Sequence, residues 1–217
     1  LSSPSNDRLV YLKLSDVTPF LDEIDALGEG PKEIGITGGE PFMCPDILPI
    51  MEAVLARGHR LLLLTNAMRP MMRPRIQSGI EALHARFGDR MVLRISLDAE
   101  RGEGAFAEAS KGLAWLAGQG IQVALAGRQS LHEDEADARA AYGELATRLG
   151  LRLDPSDPSQ LVLFPEMIAR DDPPEITTAC WQILGKDPAD IMCASQRMVI
   201  RRKGATRASV TACTLLV

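Results

Sequence analysis

The segment Glu33–Phe42 reads EIGITGGEPF and gives the clearest indication of the fold and chemistry of this chain. Its apolar, strand-like first half ends on Gly38 and Gly39, which are followed by the carboxylate of Glu40 and by Pro41. Because glycine has no Cβ, a ligand can approach the backbone closely and meet carbonyl acceptors, while Glu40 adds an anionic acceptor. The segment therefore predicts a site for an amino group. The competing interpretation is an ordinary tight turn between a strand and a helix.

Outward from this segment, strand-like and helix-like patterns alternate over residues 15–149, which favours parallel βα units over hairpins. The first helix is predicted to begin with Ser15 as its cap. The predicted strands are Glu33–Thr37, Arg60–Thr65, Met91–Asp98, Ile121–Ala126 and Leu161–Phe164. About five or six βα units are too few for a complete eight-stranded barrel. We therefore expect an α/β fold built as a partial, open barrel, with a doubly wound sheet as the main alternative.

The chain changes character after Pro165, where residues 171–174 read Asp-Asp-Pro-Pro and resemble a linker. We predict a barrel domain over residues 1–165 and a small extension over residues 166–217. The extension holds three of the four cysteines. Two short strand-like runs flank a Lys203-Gly204 turn, so the extension is predicted to contain a β-hairpin.

The overall composition leaves a small-molecule or peptide substrate open. With 217 residues, of which 46% are hydrophobic, the chain can bury one substantial core. The 24 basic and 29 acidic side chains are interspersed, so we expect neither a nucleic-acid partner nor a membrane partner. No apolar run approaches the roughly 20 residues of a membrane span, and residues 1–8 lack the features of a signal peptide. The expected location is the cytoplasm.

Polar residues end several predicted strands, at the positions where parallel α/β barrels bind ligands. Thr65 and Asn66 close the second strand, Ser96 and Asp98 close the third, and Arg128 follows the fourth. Together with the glycine pair they offer acceptors for an ammonium, hydrogen bonds for ribose hydroxyls and a guanidinium for a carboxylate. Each residue type alone is also common in turns or on solvated surfaces. It is their shared position that predicts a site.

The GGEP string, Gly38 to Pro41, resembles the motif with which radical S-adenosylmethionine (SAM) enzymes hold the amino group of SAM. The strings Leu-Leu-Thr-Asn and Ile-Ser-Leu-Asp are similar to the third and fourth strand ends of that family. The resemblance implies a partial (β/α)6 TIM-like barrel. It also implies an enzyme that cleaves SAM reductively at a 4Fe-4S cluster, so that a 5′-deoxyadenosyl radical can abstract hydrogen from the substrate.

The same resemblance assigns roles to the candidate residues. It places Gly38, Gly39 and Glu40 at the amino group of SAM, with Arg128 at the carboxylate. The ribose or methionine end falls to Ser96 and Asp98. An electron donor such as flavodoxin or ferredoxin is the implied protein partner.

The family's cysteine motif is missing from the sequence. In the family, three cysteines spaced C-x3-C-x2-C hold the cluster, whereas the first cysteine here is Cys44, beyond GGEP. We expect the missing segment to lie upstream of Leu1. One alternative is a non-catalytic SAM- or nucleotide-binding regulator on a degenerate barrel. Another is a doubly wound sugar or nucleotide transferase that binds no iron.

Cys180, Cys193 and Cys213 form a second candidate site in the extension. The stretch between Cys193 and Cys213 is similar to the cysteine-bearing hairpin of the twitch and SPASM extensions of radical SAM enzymes, which hold auxiliary iron–sulfur clusters. Thiolates suit iron–sulfur or zinc, and the alternative is that these cysteines are packing residues. Cys44 is expected to be a packing residue, and Glu166 is expected either to face the substrate or to be solvated.

Overall fold

The computed structural model describes residues 10–97, 103–166 and 177–212. The helices are α1 Leu14–Ala26, α2 Ile47–Ala56, α3 Pro74–Phe87, α4 Glu103–Gly118, α5 Glu135–Arg148, α6 Ala179–Leu184 and α7 Met192–Ser195. The strands are β1 Glu33–Ile36, β2 Arg60–Thr65, β3 Met91–Ser96, β4 Val123–Gln129, β5 Leu161–Pro165, β6 Met198–Ile200 and β7 Ser209–Thr211. Short 3-10 helices cover Pro41–Met43, Gly88–Arg90 and Pro188–Asp190.

The larger sheet has five parallel strands in the order β1-β2-β3-β4-β5 and curls into a half barrel. Each strand pairs with the next one along the chain, and right-handed crossovers then place the connecting helices on one face of the sheet. Among the described residues, no helix connecting these strands covers the opposite, concave face. The predicted α/β fold with a partial barrel is confirmed.

The core lies between the sheet and its helices. Register partners such as Leu63 and Leu93 share a face and are both fully buried. They belong to one cluster with helix residues such as Met51, Ile80 and Leu113. Each buried large aliphatic side chain contributes about 1.5–3 kcal/mol. The alternate residues of β2 and β3 are only half-buried, so the concave face is the more accessible one.

Local signals set the helix ends. Pro74 occupies the first turn of α3, where the missing N–H costs nothing, and Gly88 ends this helix with a φ of 58°. The side chain of Asp134 caps α5 by accepting a hydrogen bond from the backbone N–H of Ala136 at 2.8 Å.

Several predicted boundaries were wrong by one to three residues, including the start of α1 and the end of β4. The helix α1 begins at Leu14, and the carboxylate of Asp16 accepts from the backbone N–H of Lys13 at 2.9 Å, so Ser15 is not the cap. Strand β4 runs to Gln129, beyond the predicted end, because β5 continues to pair along it. Arg128 therefore lies within the strand.

The described part of the extension contains the predicted hairpin, in which β6 and β7 pair antiparallel. Arg201, next to β6, donates to the carboxylate of Asp16 on α1 at 2.6 Å and so joins the hairpin to the barrel. The domain boundary after Pro165 stays a prediction. None of the helices in the described ranges has the length and apolarity needed to cross a membrane.

Candidate functional site

The turn after β1 presents two glycines at the carboxyl edge of the sheet. Gly38 has a φ of 155°, a backbone conformation that residues with a Cβ rarely adopt. Gly39 has an ordinary backbone conformation, and a Cβ added there would have no neighbour within 4 Å among the described residues. Neither strain nor packing within this part of the chain therefore requires a glycine at position 39. The turn leaves open space over the backbone.

Glu40 connects this turn to the neighbouring strand. Its carboxylate accepts from the Thr65 hydroxyl at 2.8 Å and from the backbone N–H of Asn66 at 3.0 Å. It also accepts from the backbone N–H of Phe42 at 3.1 Å. A carboxylate has about four acceptor positions, so these three donors leave room for about one more. Glu40 thus stabilises the fold in addition to offering an acceptor to a ligand. Its position in the sequence motif did not indicate this structural role.

The turn after β2 is held in an unusual conformation. Ala67 has a φ of 55°, in the left-handed region that non-glycine residues rarely occupy. The Thr65 hydroxyl accepts from the N–H of Ala67 at 3.2 Å, and the Asn66 side chain accepts from the N–H of Met68 at 2.9 Å. Helix α4 packs against the Ala67 carbonyl through Gly112. These contacts fix the candidate residues Thr65 and Asn66 in place.

Asn66 and Ser96 line one small cleft between the ends of β2 and β3. The rest of its described wall is apolar and comes from Met68, Leu97, Ala105, Phe106 and Ala109. The space of about 10 Å³ in the cleft admits no more than a single water. The cleft is therefore too small for a ligand the size of a nucleoside.

Arg128 shares the concave face with Ser96. Ser96 pairs with Ala126 in the sheet, and Arg128 lies two residues further along β4, so alternation places all three side chains on the same face. The structure thus brings four of the predicted elements of the site to one edge of the sheet: the GGE turn, the end of β2, Ser96 and Arg128. Pro41 begins the 3-10 helix after the turn and is buried. Asp98 lies outside the described residues.

Tyr142 is a neighbour of the site that the sequence did not indicate. The hydroxyl of this α5 residue accepts from the backbone N–H of Arg128 at 3.0 Å. A Cβ added at Gly127 would lie 2.2 Å from the tyrosine ring. No local sequence pattern indicated this contact.

Glu166 is hydrogen-bonded to the segment that connects β4 to α5. Its carboxylate accepts from the backbone N–H of Leu131 at 3.1 Å, and its own N–H donates to the carbonyl of Gln129 at 2.8 Å. Glu166 therefore holds the connection between β4 and α5 against the end of β5.

The cysteines do not form a described metal site. The Cys44 thiol donates to the carbonyl of Leu12 at 3.2 Å, and burial raises the pKa of this thiol, as suits a packing residue. Cys180 is half-buried beside Thr177. The side chain of Cys193 and the whole of Cys213 lie outside the described residues. Within the ranges that the structure describes, no three His, Cys, Asp or Glu side chains are grouped to hold a metal, so the auxiliary cluster stays a prediction.

No protein-family model matches the sequence, and a search of curated proteins finds no match. Solved structures of similar fold include SuiB of Streptococcus suis, with a TM-score of 0.54 and 12% identity, over 80% of this chain and 39% of SuiB. SuiB bound to S-adenosylmethionine gives a TM-score of 0.54 and 13% identity, over 82% of this chain and 38% of that one.

SuiB bound to the precursor peptide SuiA gives a TM-score of 0.50 and 15% identity, over 66% of this chain and 32% of that one. The chain thus spans at most 39% of the length of these SuiB structures. At such low identity the likeness shows the fold alone. The half barrel described here has the fold of the corresponding part of SuiB.

Proposed function

We propose that this chain is the SAM-binding half barrel of a radical SAM enzyme that acts on a small molecule or a peptide. The observation that carries the proposal is the open Gly38-Gly39 turn, which lies beside Glu40 on the same sheet edge as Asn66, Ser96 and Arg128. That edge therefore offers carbonyl oxygens, a carboxylate, a hydroxyl and a guanidinium together. SAM carries the complementary amino, ribose and carboxylate groups.

In this proposal each residue binds one part of SAM. The backbone carbonyls of Gly38 and Gly39 accept N–H groups of the SAM amino group, and Glu40 adds its remaining acceptor capacity and its negative charge. Arg128 pairs with the SAM carboxylate, for which a guanidinium is well suited. Ser96 donates to the ribose or methionine end. The protein thereby orients SAM and shields it from water.

A reduced 4Fe-4S cluster supplies the electron that breaks the sulfonium C–S bond of SAM in this class of enzyme. The described residues do not fit such a cluster, because no three suitable side chains come together in them. We propose that its cysteine ligands lie outside the described residues. No role in cluster binding follows for Cys44, whose thiol is hydrogen-bonded within the barrel.

The fold comparison supports this proposal without deciding the substrate. SuiB is a radical SAM enzyme, and structures of SuiB exist with SAM bound and with a precursor peptide bound. For the present chain both a small molecule and a peptide remain candidate substrates. Flavodoxin or ferredoxin is the proposed electron donor, and the cytoplasm is the proposed location.

The experiment is anaerobic reconstitution of the full-length protein with iron and sulfide, followed by addition of SAM and dithionite. We expect about four irons per chain for a single cluster and formation of 5′-deoxyadenosine, detected by liquid chromatography. SAM binding without iron would favour the non-catalytic regulator. Neither SAM binding nor iron would favour the transferase alternative.

A further inference from the structure

We propose that Tyr142 is a positioning residue that sets the approach of Arg128 to the carboxylate of SAM. This inference rests on the proposed function, in which Arg128 binds that carboxylate. Tyr142 belongs to helix α5 and packs on Gly127, which faces the helix layer, whereas Arg128 alternates to the concave face. Through these contacts Tyr142 acts on Arg128 by way of the backbone.

The Tyr142 hydroxyl contacts both backbone polar groups of Arg128. The hydroxyl accepts from the backbone N–H of Arg128 at 3.0 Å and lies 3.4 Å from the backbone carbonyl oxygen of Arg128. The ring lies directly against Gly127, where an added Cβ would come within 2.3 Å of the hydroxyl oxygen. The glycine and the tyrosine therefore fit each other, and together they hold both peptide groups of Arg128.

The Tyr142 hydroxyl contacts β4 at the place where the pairing of β4 with β3 ends. The pairing of β3 with β4 ends at Ser96 and Ala126, and the N–H of Leu97 donates to the carbonyl of Ala126 at 2.9 Å. In a parallel sheet alternate residues bond to the same neighbouring strand. The next N–H of β4 on that edge is the one of Arg128. The tyrosine hydroxyl accepts from it at the point where the regular pairing with β3 has stopped.

The other edge of β4 is held by β5 over the same residues. Arg128 pairs with Phe164, and the N–H of Glu166 donates to the carbonyl of Gln129 at 2.8 Å. On the edge of β4 that faces β3, the Tyr142 hydroxyl accepts the hydrogen bond from the Arg128 N–H. The end of β4 is thus fixed on both edges, and this direction of the backbone determines where the Arg128 side chain begins. Replacing the hydroxyl by hydrogen removes the hydrogen bond on the β3 side, while the pairing with β5 and the packing of the ring remain.

The test is Tyr142→Phe in the full-length reconstituted protein, with dissociation constants measured by titration calorimetry for SAM and for decarboxylated SAM. Decarboxylated SAM keeps the amino and sulfonium groups and lacks only the group that Arg128 is proposed to bind. We expect Tyr142→Phe to weaken SAM binding about three- to tenfold and to leave the affinity for decarboxylated SAM unchanged. Combining it with Arg128→Ala should give no loss beyond that of Arg128→Ala alone.

Two further variants make the test specific. Tyr11→Phe removes the hydroxyl of the only other tyrosine in the sequence and should change neither affinity. Gly127→Ala should displace the Tyr142 ring and reduce the preference for SAM over decarboxylated SAM, as Tyr142→Phe does.

The outcomes separate this inference from the proposed function. Equal weakening of both ligands by Tyr142→Phe would show a merely structural role and overturn the inference. No change with either ligand would overturn it too. Failure of the unmodified protein to bind SAM, or an unchanged preference in Arg128→Ala, would instead refute the proposed function at this site.

Discussion

At the scale of single residues, Glu40 joins two neighbouring strands. The carboxylate accepts from the hydroxyl of Thr65 and the N–H of Asn66 at the end of β2, and from the N–H of Phe42 after its own turn. Thr65 is only 4% exposed, so its hydroxyl has little access to water if the carboxylate is removed. Glu40 therefore contributes to stability independently of any ligand.

We expect Glu40→Ala to lower the free energy of unfolding by about 1–3 kcal/mol, because it leaves partly buried donors without their acceptor. Glu40→Gln should cost less, since the amide oxygen still accepts. Urea unfolding measures both effects. Glu29→Ala is the control, because that carboxylate pairs only with the exposed Lys32 among the described residues and should give no measurable change. Equal stability of Glu40→Ala and the unmodified chain would contradict this role.

Sequence reasoning identified Gly38, Gly39 and Glu40 because a strand that ends on small residues and a carboxylate forms a recognisable string. It missed the internal partners of Glu40, since these depend on the end of β2 lying beside the turn. Tyr142 was missed because it lies 14 residues beyond Arg128 on a helix, and nothing in the local pattern marks it. Only its fit against a strand glycine reveals the contact.

At the scale of elements, helix α4 is packed directly onto the turn after β2. A Cβ built at Gly112 would lie 2.0 Å from the carbonyl oxygen of Ala67, which is a backbone atom and cannot turn aside. Ala67 already has a φ of 55°. The close approach of α4 and the strained turn therefore depend on each other, and both lie next to the candidate residue Asn66.

We predict that Gly112→Ala lowers the free energy of unfolding by about 1–3 kcal/mol, because the added methyl group forces α4 away from the turn. Gly118→Ala in the same helix has no atom within 4 Å of its added Cβ among the described residues. It should raise the free energy of unfolding by about 0.4–1 kcal/mol. Chemical denaturation of the two variants tests the pair, and a stabilising effect of both would show that the close approach is not tight.

At the scale of the whole molecule, the ion pair between Arg201 and Asp16 joins the hairpin of the extension to the barrel. The hydrogen bond from Arg201 holds the pKa of Asp16 below its usual range. The Asp16 side chain is 7% exposed and the Arg201 side chain 21%, so the pair is shielded from solvent more than a typical surface pair. The connection is therefore expected to depend on pH.

Because the pKa of Asp16 is lower in the folded chain than in the unfolded chain, the pair stabilises the fold above the unfolded pKa. This stability is lost as the pH falls through the folded pKa. We expect Arg201→Gln to be less stable than the unmodified chain at neutral pH, with the difference shrinking in the acid range below the ordinary pKa of aspartate. Urea unfolding over a pH series measures this, with the exposed Arg202→Gln as control. A difference that persisted unchanged into strong acid would contradict the assignment.

The architecture could be predicted from the sequence because the parallel strands are mostly apolar runs and helices α1 to α4 carry an apolar stripe. The end of β4 and the start of α1 could not, since pairing with β5 and the Asp16 side chain decide them. The contact of Arg201 with Asp16 spans 185 residues of sequence. No local pattern indicates such a contact. The fold and the glycine turn were predicted because each has a local sequence pattern. The hydrogen bonds between the elements of the site were not, because they join residues that are far apart in the sequence.

The central claim, that SAM binds at the open glycine turn, is tested most directly by Gly39→Ala in the full-length reconstituted protein. The described residues neither require a glycine at this position nor contact its added Cβ, so the variant should unfold at an unchanged temperature. A SAM amino group held against the same backbone should be displaced, and we predict that the dissociation constant for SAM rises at least about tenfold. Gly118→Ala, far from the turn in sequence, should leave it unchanged. Unaltered SAM affinity in Gly39→Ala would contradict the account.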